Sequence, residues 1–233
     1  MFETTRKDGV CRLASARSRW LATGWDGGYR TADAANNVSV PTGFERTDLE
    51  EYATERLASA GFERSGPVLL TGVDLAHARG ARAGSVTVVA TVGLSNPAAL
   101  PMEDGNASEG DSSDESPPVG TVNLLVGTTR ALADGTLATL LATAVEAKTA
   151  TLQSLTGFTG TTSDAVAVGC EPSGDPAEFA GSGTAVGSAV RACVRDTLRA
   201  SLASRYGDGS LADSVAEAEH GVVTDRETDS FQP

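Results

Sequence analysis

Short runs of β-branched and apolar residues, bounded by Gly, Pro, Asn or Asp, alternate along the chain with longer segments of helical spacing. Four such runs predict strands, at residues 68–71, 86–92, 121–128 and 165–170. Apolar positions three and four apart predict helices at residues 48–60, 135–155 and 184–205, the first opened by a Thr47-x-x-Glu50 capping box. Because strands and helices mix along one chain, the pattern predicts a single layered domain of the α/β or α+β class, with a mixed sheet packed by about three main helices.

Acidic residues crowd into two segments of the chain. Among 233 residues, 31 Asp and Glu oppose 18 Lys and Arg, which gives a net charge of −13. Residues 103–118 hold six acids and no base, and residues 208–233 hold seven acids and one base. Segments this acidic and this poor in apolar residues cannot bury enough surface to offset their ordering entropy. We therefore expect a domain over residues 1–207, interrupted by a disordered acidic insert at 103–118 and followed by a flexible acidic tail at 208–233.

Charge and composition disfavour several classes of partner. A net charge of −13 argues against binding to nucleic acid or to an anionic membrane surface, and no run approaches the roughly 18 apolar residues of a membrane span. Three cysteines without CxxC spacing, and an N-terminus without an apolar targeting segment, predict a cytoplasmic protein without disulfides. Only two of the 18 basic residues are lysines, which fits either a high-salt cytosol or a coding preference for arginine.

Hydroxyl and amide side chains cluster at the ends of three predicted strands. The clusters are Ser95 and Asn96, Thr121 and Asn123, and Thr161, Thr162, Ser163 and Asp164. Such groups bind and polarise amides, and a carboxylate or an activated hydroxyl can deliver a nucleophile. With only two histidines, a His-rich metal site is excluded and a Ser-His-Asp triad would depend on His77. The residues alone therefore predict a small-molecule enzyme or binding domain without histidine chemistry, and we assign no metal ligands.

The second predicted helix carries a lysine on its apolar face. Lys148 falls in the middle of the apolar stripe, whereas Glu146 projects from nearly the opposite side and is most simply a solvated residue. The stripe consists of Leu137, Leu140, Leu141, Ala144, Leu152 and Leu155. Two interpretations of Lys148 stay open: a stem along the core whose ammonium reaches a carboxylate or the surface, or a desolvated functional lysine poised by a partner such as Asp164.

A Gly-rich segment, Ala-Gly-Ser-Gly-Thr at 180–184, precedes the third predicted helix. Free backbone N–H groups at such a helix start either serve an ordinary cap or receive an anionic or carbonyl oxygen of a ligand. Gly181, Gly183 and Thr184 are therefore candidate binding residues.

Several short motifs follow one another along the chain. They are Trp20-Leu21, Gly27-Gly28, Asn-Asn-Val-Ser-Val-Pro at 36–41, Thr-Val-Gly-Leu-Ser-Asn-Pro-Ala at 91–98, Gly-Thr-Val-Asn at 120–123, Ala-Val-Glu-Ala-Lys-Thr-Ala at 144–150, Thr-Thr-Ser-Asp-Ala-Val at 161–166 and the segment at 180–184. In this order, over residues 15 to 206, they resemble the adenosylcobinamide amidohydrolase (CbiZ-type) family. The acidic insert and the tail lie outside the resemblance.

The resemblance implies an amidohydrolase that cleaves the amide between the aminopropanol arm and a corrin propionate of adenosylcobinamide. The products would be adenosylcobyric acid and 1-aminopropan-2-ol, which returns scavenged corrinoid to cobamide synthesis. The corrinoid is then the substrate and partner, and no cofactor is implied. A non-catalytic corrinoid-binding or regulatory module, and an amidohydrolase of a different small amide, are the alternative functions.

The resemblance also suggests which residues act, with two schemes open. In the first, Glu146 or Asp164 is the general base that activates water, Lys148 sets its ionisation, and Asn96 or Asn123 stabilises the oxyanion. In the second, Lys148 deprotonates a hydroxyl nucleophile, which is Ser163, Thr162 or Thr121. The residues expected to bind the substrate are Asn37, Ser95, Asn96, Thr121, Asn123, Thr161, Thr162, Gly181, Gly183 and Thr184.

Overall fold

The computed structural model of the chain describes residues 1–102, 120–207, 209, 214–218 and 220–232, so the acidic insert predicted at 103–118 lies outside the described residues. Within these ranges the chain forms helices α1 (Leu49–Ser59), α2 (Asp134–Thr156) and α3 (Ala185–Tyr206). The strands are β1 (Glu3–Lys7), β2 (Val10–Ala22), β3 (Gly28–Ser39), β4 (Val68–Thr71), β5 (Arg79–Ala83), β6 (Val86–Val92), β7 (Pro97–Ala99), β8 (Val122–Thr128), β9 (Gly160–Thr161), β10 (Ala165–Cys170) and β11 (Val222–Val223).

The main sheet is mixed, and its strand order brings three polar segments to one edge. Its order is β4-β3-β2-β10-β8-β6-β5, with β1 paired to β2, and a small second sheet has the order β11-β7-β9. Strands β8 and β10 are parallel, and β6 runs antiparallel to β8. Val92 at the end of β6 therefore pairs with Val122 at the start of β8, and Asn123 pairs with Ala165 at the start of β10.

The sheet curls so that its two halves pack face to face between two layers of helix. Helices α2 and α3 cover the outer face of the β10-β8-β6-β5 half, and α1 covers the outer face of the β2-β3-β4 half, where Leu57 packs near Val38. Strand β2 belongs to both halves. Its pairing with β3 is interrupted by a bulge between Ala14 and Ser18, where Arg17 takes a φ of 54°. The result is a four-layer arrangement of helix, sheet, sheet and helices.

The layer between the two half-sheets has an aromatic region built around two rings. Phe2 and Trp20 meet edge to face with ring centroids 5.6 Å apart. A Cβ atom at Gly127 would lie 2.5 Å from the Phe2 ring, and one at Gly169 would lie 2.7 Å from the Trp20 ring. Glycine at these two strand positions therefore lets the rings lie directly on β8 and β10.

The predicted fold class and the three predicted helices are confirmed, each helix to within one residue at either end. The capping box is wrong: α1 begins after Asp48 without a side-chain cap, because both Asp48 carboxylate oxygens bind the Arg46 guanidinium. The two longest strands, β2 and β3, were not predicted, since Ala, Ser and Arg fill positions where strands usually carry β-branched residues.

The acidic tail has backbone partners in its described part. Val222–Val223 extends the small sheet beside β7, and the Thr224 N–H donates to the Ala99 carbonyl at 3.0 Å. Flexibility of the tail therefore stays a prediction for its other residues. None of the helices in the described ranges is both long enough and apolar enough to cross a membrane.

The burial of the three cysteines leads to a prediction about thiol reactivity. Cys11, Cys170 and Cys193 are unpaired and buried. Burial raises the pKa of Cys11 to about 11 and raises the pKa of the other two thiols. At pH 8, native protein is expected to react with Ellman's reagent far more slowly than denatured protein, which should release three equivalents of thionitrobenzoate. Rapid labelling of the native protein would contradict this packing.

Candidate active site

A buried ion pair lies at the edge where β8 and β10 begin. Lys148 projects from the buried face of α2, and its Nζ donates to Oδ2 of Asp164 in the loop before β10. The side chains of Lys148 and Asp164 are only 8% and 12% exposed. This pairing fits both interpretations of Lys148, because each lets the ammonium meet a carboxylate, and the carboxylate is the one named from the sequence. A functional role for Lys148 stays a prediction.

Asp164 holds three segments of the chain together. Its Oδ1 accepts from the Val122 N–H at 2.9 Å and from the Thr161 hydroxyl, and its Oδ2 accepts from the Thr161 N–H at 3.2 Å besides Lys148. A carboxylate has about four lone-pair positions. All four are occupied, so Asp164 is anchored to β8, β9 and α2 at once.

Two hydroxyls stand exposed beside this pair. Ser163 Oγ donates to the Gly120 carbonyl at 3.0 Å and lies 3.1 Å from Thr121 Oγ1. The amide nitrogen of Asn96 donates to Thr162 Oγ1 at 2.6 Å and to Ser163 Oγ at 3.4 Å. Thr162 and Ser163 are exposed, whereas Asn96 is fully buried. The buried side-chain amide of Asn96 therefore holds both hydroxyls in place.

The amide oxygen of Asn96 is buried and finds no hydrogen-bond partner within the described residues. Gly120 passes so close that a Cβ atom there would lie 2.3 Å from this oxygen and 2.6 Å from the Ser95 nitrogen. Ser95 and Asn96 thus pack directly on the backbone that leads into β8. An unsatisfied buried acceptor is costly, so Asn96 is a strained point of this packing.

Asn37 and Asn123 lie inside the protein, between the half-sheets. Asn123 Nδ2 donates to Asn37 Oδ1 at 2.9 Å and to the Leu70 carbonyl at 2.8 Å, and its Oδ1 accepts from the Ala165 N–H at 3.1 Å. Asn37 Nδ2 donates to Thr91 Oγ1 at 3.0 Å. These side chains join β3 and β4 to β6, β8 and β10, and their hydrogen bonds are committed to that role. Substrate binding by either remains a prediction.

The structure does not bring Glu146 to the cluster. Its side chain is 58% exposed, and its carboxylate lies 3.3 Å from Arg191 on α3. The distance is ordinary for a surface ion pair, which contributes little to stability. The helical spacing had already placed Glu146 opposite Lys148, and the structure agrees with that spacing.

The Gly-rich segment before α3 also lies apart from the ion pair. Thr184 caps α3 by accepting from the Gly187 N–H at 3.0 Å, and its hydroxyl donates to the Gly181 carbonyl at 2.9 Å. Thr143 of α2 donates to the Ala180 carbonyl at 3.2 Å. A groove of about 480 Å³ between α2 and α3 reaches Ser182, but neither Lys148 nor Asp164 lines it. Gly183, like Gly181, has open space where a side chain would begin.

Two glycines of the site were not identified from the sequence. A Cβ atom at Gly160 would lie 2.5 Å from Asp164 Oδ2 and 2.9 Å from Lys148 Nζ, so only glycine lets β9 cross the ion pair. A side chain at Gly120 would likewise collide with the Asn96 side chain. Neither requirement leaves a local sequence signal, because the contacted atoms come from distant parts of the chain. Among the residues that the structure describes, no group of His, Cys, Asp or Glu could hold a metal ion.

A buried lysine–carboxylate pair beneath exposed hydroxyls, on a mixed α/β scaffold, is the arrangement of a protein that binds a polar small molecule and acts on it without histidine. The particular family follows from comparison with known proteins. A sequence profile of the family CbiZ, adenosylcobinamide amidohydrolase, matches residues 1–210. The chain belongs to this family.

Two relatives illustrate the relationship. The chain is 53% identical to the adenosylcobinamide amidohydrolase of Halobacterium salinarum over 235 aligned positions, which cover the whole of both chains. It is 28% identical to the adenosylcobinamide amidohydrolase of Methanosarcina mazei over 195 positions, which cover 79% of this chain and 90% of that protein.

The ion pair makes a prediction about stability. Lys148→Met and Asp164→Asn are each expected to lower the free energy of unfolding by about 3–5 kcal/mol, because each strands a buried partner. The double variant should lose much less than the sum of the two, since both charges are then absent. Urea unfolding of the four proteins measures the coupling. Additive losses would mean that the two side chains do not depend on each other.

Proposed function

We propose that this protein hydrolyses adenosylcobinamide at the amide that joins the aminopropanol arm to a corrin propionate. Family membership and the name of the relative that is 53% identical over its full length support this substrate. Water adds to the amide carbon as the carbon–nitrogen bond breaks, which gives adenosylcobyric acid and 1-aminopropan-2-ol. The acid returns to cobamide synthesis, so the role is corrinoid salvage. We place the reaction in the cytoplasm, with the corrinoid as substrate and with no cofactor assigned.

The observation that carries the proposal is the exposed hydroxyl pair fixed above a buried ion pair. Thr162 and Ser163 are open to solvent, and their hydroxyls are held by Asn96 and Thr121. Thr162 Oγ1 accepts from Asn96 and keeps its own proton for an amide carbonyl, whereas Ser163 can donate to the amide once its proton turns away from the Gly120 carbonyl. We therefore assign Thr162 and Ser163 as the groups that contact the scissile amide.

We assign Asp164 as the base that accepts a proton from the attacking water. Among the described residues it is the carboxylate of this cluster, and its Oδ2 accepts from Lys148. Its four hydrogen-bond positions are full, so one donor must leave before water can bind. The Thr161 hydroxyl is the donor that can rotate away, because the two backbone donors are fixed by β8 and β9. The proton then passes to the departing amine.

A direct hydroxyl attack is less well supported by the geometry. The groups within hydrogen-bonding distance of Ser163 Oγ are the Gly120 carbonyl, the Thr121 hydroxyl and the Asn96 amide, and none of these is a base. Ser163 therefore serves as a binding group for the amide, and water serves as the nucleophile.

Product analysis tests the proposed reaction. Purified protein in high-salt buffer is expected to convert adenosylcobinamide to 1-aminopropan-2-ol and a corrinoid acid, detected by mass spectrometry. Ser163→Ala should lower the rate of amine release by about 100-fold, the effect of removing one such hydrogen-bonding group. Glu146→Gln is the matched comparison and should keep the wild-type rate, because Glu146 faces Arg191.

Three outcomes would contradict parts of this proposal. Binding of adenosylcobinamide without release of amine would favour a non-catalytic corrinoid-binding module. Release of amine from other small amides but not from adenosylcobinamide would move the activity to a different substrate. An acyl group trapped on Ser163 would replace water with a covalent nucleophile.

A further inference from the structure

The tip of the β2–β3 hairpin presents an exposed tryptophan. The chain has two tryptophans: Trp20 is fully buried in the core, whereas Trp25 at the tip is 39% exposed. Indole is one of the largest apolar side chains, and an exposed one in a fixed position commonly marks a binding surface.

Trp25 lies in a loop that a hydrogen bond and two ion pairs hold. Gly24 and Gly28 take positive φ angles of 89° and 101°. The Gly27 N–H donates to the Gly24 carbonyl at 3.2 Å, which closes a tight turn with Trp25 and Asp26 as its central residues. Asp26, the next residue, forms ion pairs with Arg30 at 2.8 Å and with Arg64 at 3.3 Å. Because the loop is ordered in advance, a ligand would not have to fix it.

Arg64 is one neighbour of the Trp25 indole. The Arg64 guanidinium carbon lies 5.6 Å from the Trp25 ring centroid, and the Arg64 side chain is 18% exposed. The arginine is itself anchored, because it pairs with Glu50 at 2.9 Å as well as with Asp26. The Arg64 guanidinium makes a cation–π contact with the ring, while part of the indole stays exposed to solvent.

The hairpin tip adjoins the candidate active site. Thr23 and Val166 exchange two hydrogen bonds, of 2.9 and 3.0 Å, and a Cβ atom on Gly24 would lie 3.7 Å from that of Ala165. Ala165 directly follows Asp164. At 3.8 Å per residue step, the Cα atoms of Trp25 and Asp164 are within about 14 Å of each other.

A depression of about 500 Å³ opens beside the indole. Its lining consists of Trp25, Thr47, Asp48, Leu49, Glu50 and Glu51. Trp25, Leu49 and the acidic start of α1 thus line a partly apolar recess on the hairpin side of the site. A small amide arm alone would not need this second surface, whereas a large substrate with a flat ring would extend across it.

We propose that Trp25 binds the substrate by stacking on a flat conjugated ring of the corrinoid, an inference that rests on the proposed function. Stacking on an aromatic side chain needs only a π-face, and two parts of adenosylcobinamide offer one: the adenine of the adenosyl ligand and the corrin ring. The scissile amide then lies over Thr162 and Ser163 while the ring is held at the hairpin tip.

The test compares Trp25→Ala, Trp25→Phe and Tyr29→Ala. Tyr29 is the matched control, since it is 42% exposed on the same hairpin and has Arg19 5.1 Å from its ring. Trp25→Ala is expected to raise KM for adenosylcobinamide at least about tenfold with little change in kcat. Trp25→Phe should restore most of the affinity, and Tyr29→Ala should behave as wild type.

Dissociation constants for adenosylcobinamide and for dicyanocobinamide identify the ring. They are measured by calorimetry in the Lys148→Met, Asp164→Asn background, with Trp25 intact or replaced, so that hydrolysis does not contribute heat. Weaker binding of the adenosyl compound alone assigns the stack to adenine, and equal weakening of both assigns it to the corrin. Unchanged affinity in Trp25→Ala, or an equal loss in Tyr29→Ala, overturns the role of Trp25. Wild-type protein that binds adenosylcobinamide without releasing amine refutes the proposed hydrolysis but not the stacking on Trp25. Wild-type protein that neither binds adenosylcobinamide nor releases amine overturns the hydrolysis and the stacking together.

Discussion

The contact between Lys148 and Asp164 is the constraint on which the rest of the site depends. A lysine on the apolar face of α2 is tolerable only if its charge is matched inside the protein, and Asp164 supplies the match. The same carboxylate binds the backbone at Val122 and Thr161, so the pair also fixes where β8 and β9 begin. Gly160 is the adaptation that makes room for it.

The curled sheet brings the other parts to this point. Strands of the two halves are joined by the amides of Asn37 and Asn123, which occupy the interior and leave the exposed positions to hydroxyls. Because β2 pairs with both β3 and β10, its hairpin tip ends beside the loop that carries Asp164. One fold therefore places a buried ion pair, two exposed hydroxyl residues and an exposed indole near the start of β10.

The sequence was most informative where a local pattern determined the structure. The 100° periodicity of α2 predicted both the buried position of Lys148 and the outward position of Glu146, and residue type at strand ends indicated Ser163 and Asp164 as candidate site residues. Apart from the pairing of Lys148 with Asp164, contacts between residues distant in the sequence were not predicted. Asn123, a candidate binding residue in the sequence, also makes hydrogen bonds to partners on β3, β4 and β10, and those partners come from distant parts of the chain. The hairpin that carries Trp25 was missed because β2 and β3 lack β-branched runs.

Amine release by the Lys148→Met, Asp164→Asn double variant tests the account most directly, because this variant removes the charges without leaving one of them buried alone. The variant should retain the circular dichroism spectrum of the wild type, while its release of 1-aminopropan-2-ol from adenosylcobinamide falls at least about 100-fold, as expected when a general base is lost. A folded double variant that releases amine within tenfold of the wild-type rate would contradict the central role given to this ion pair.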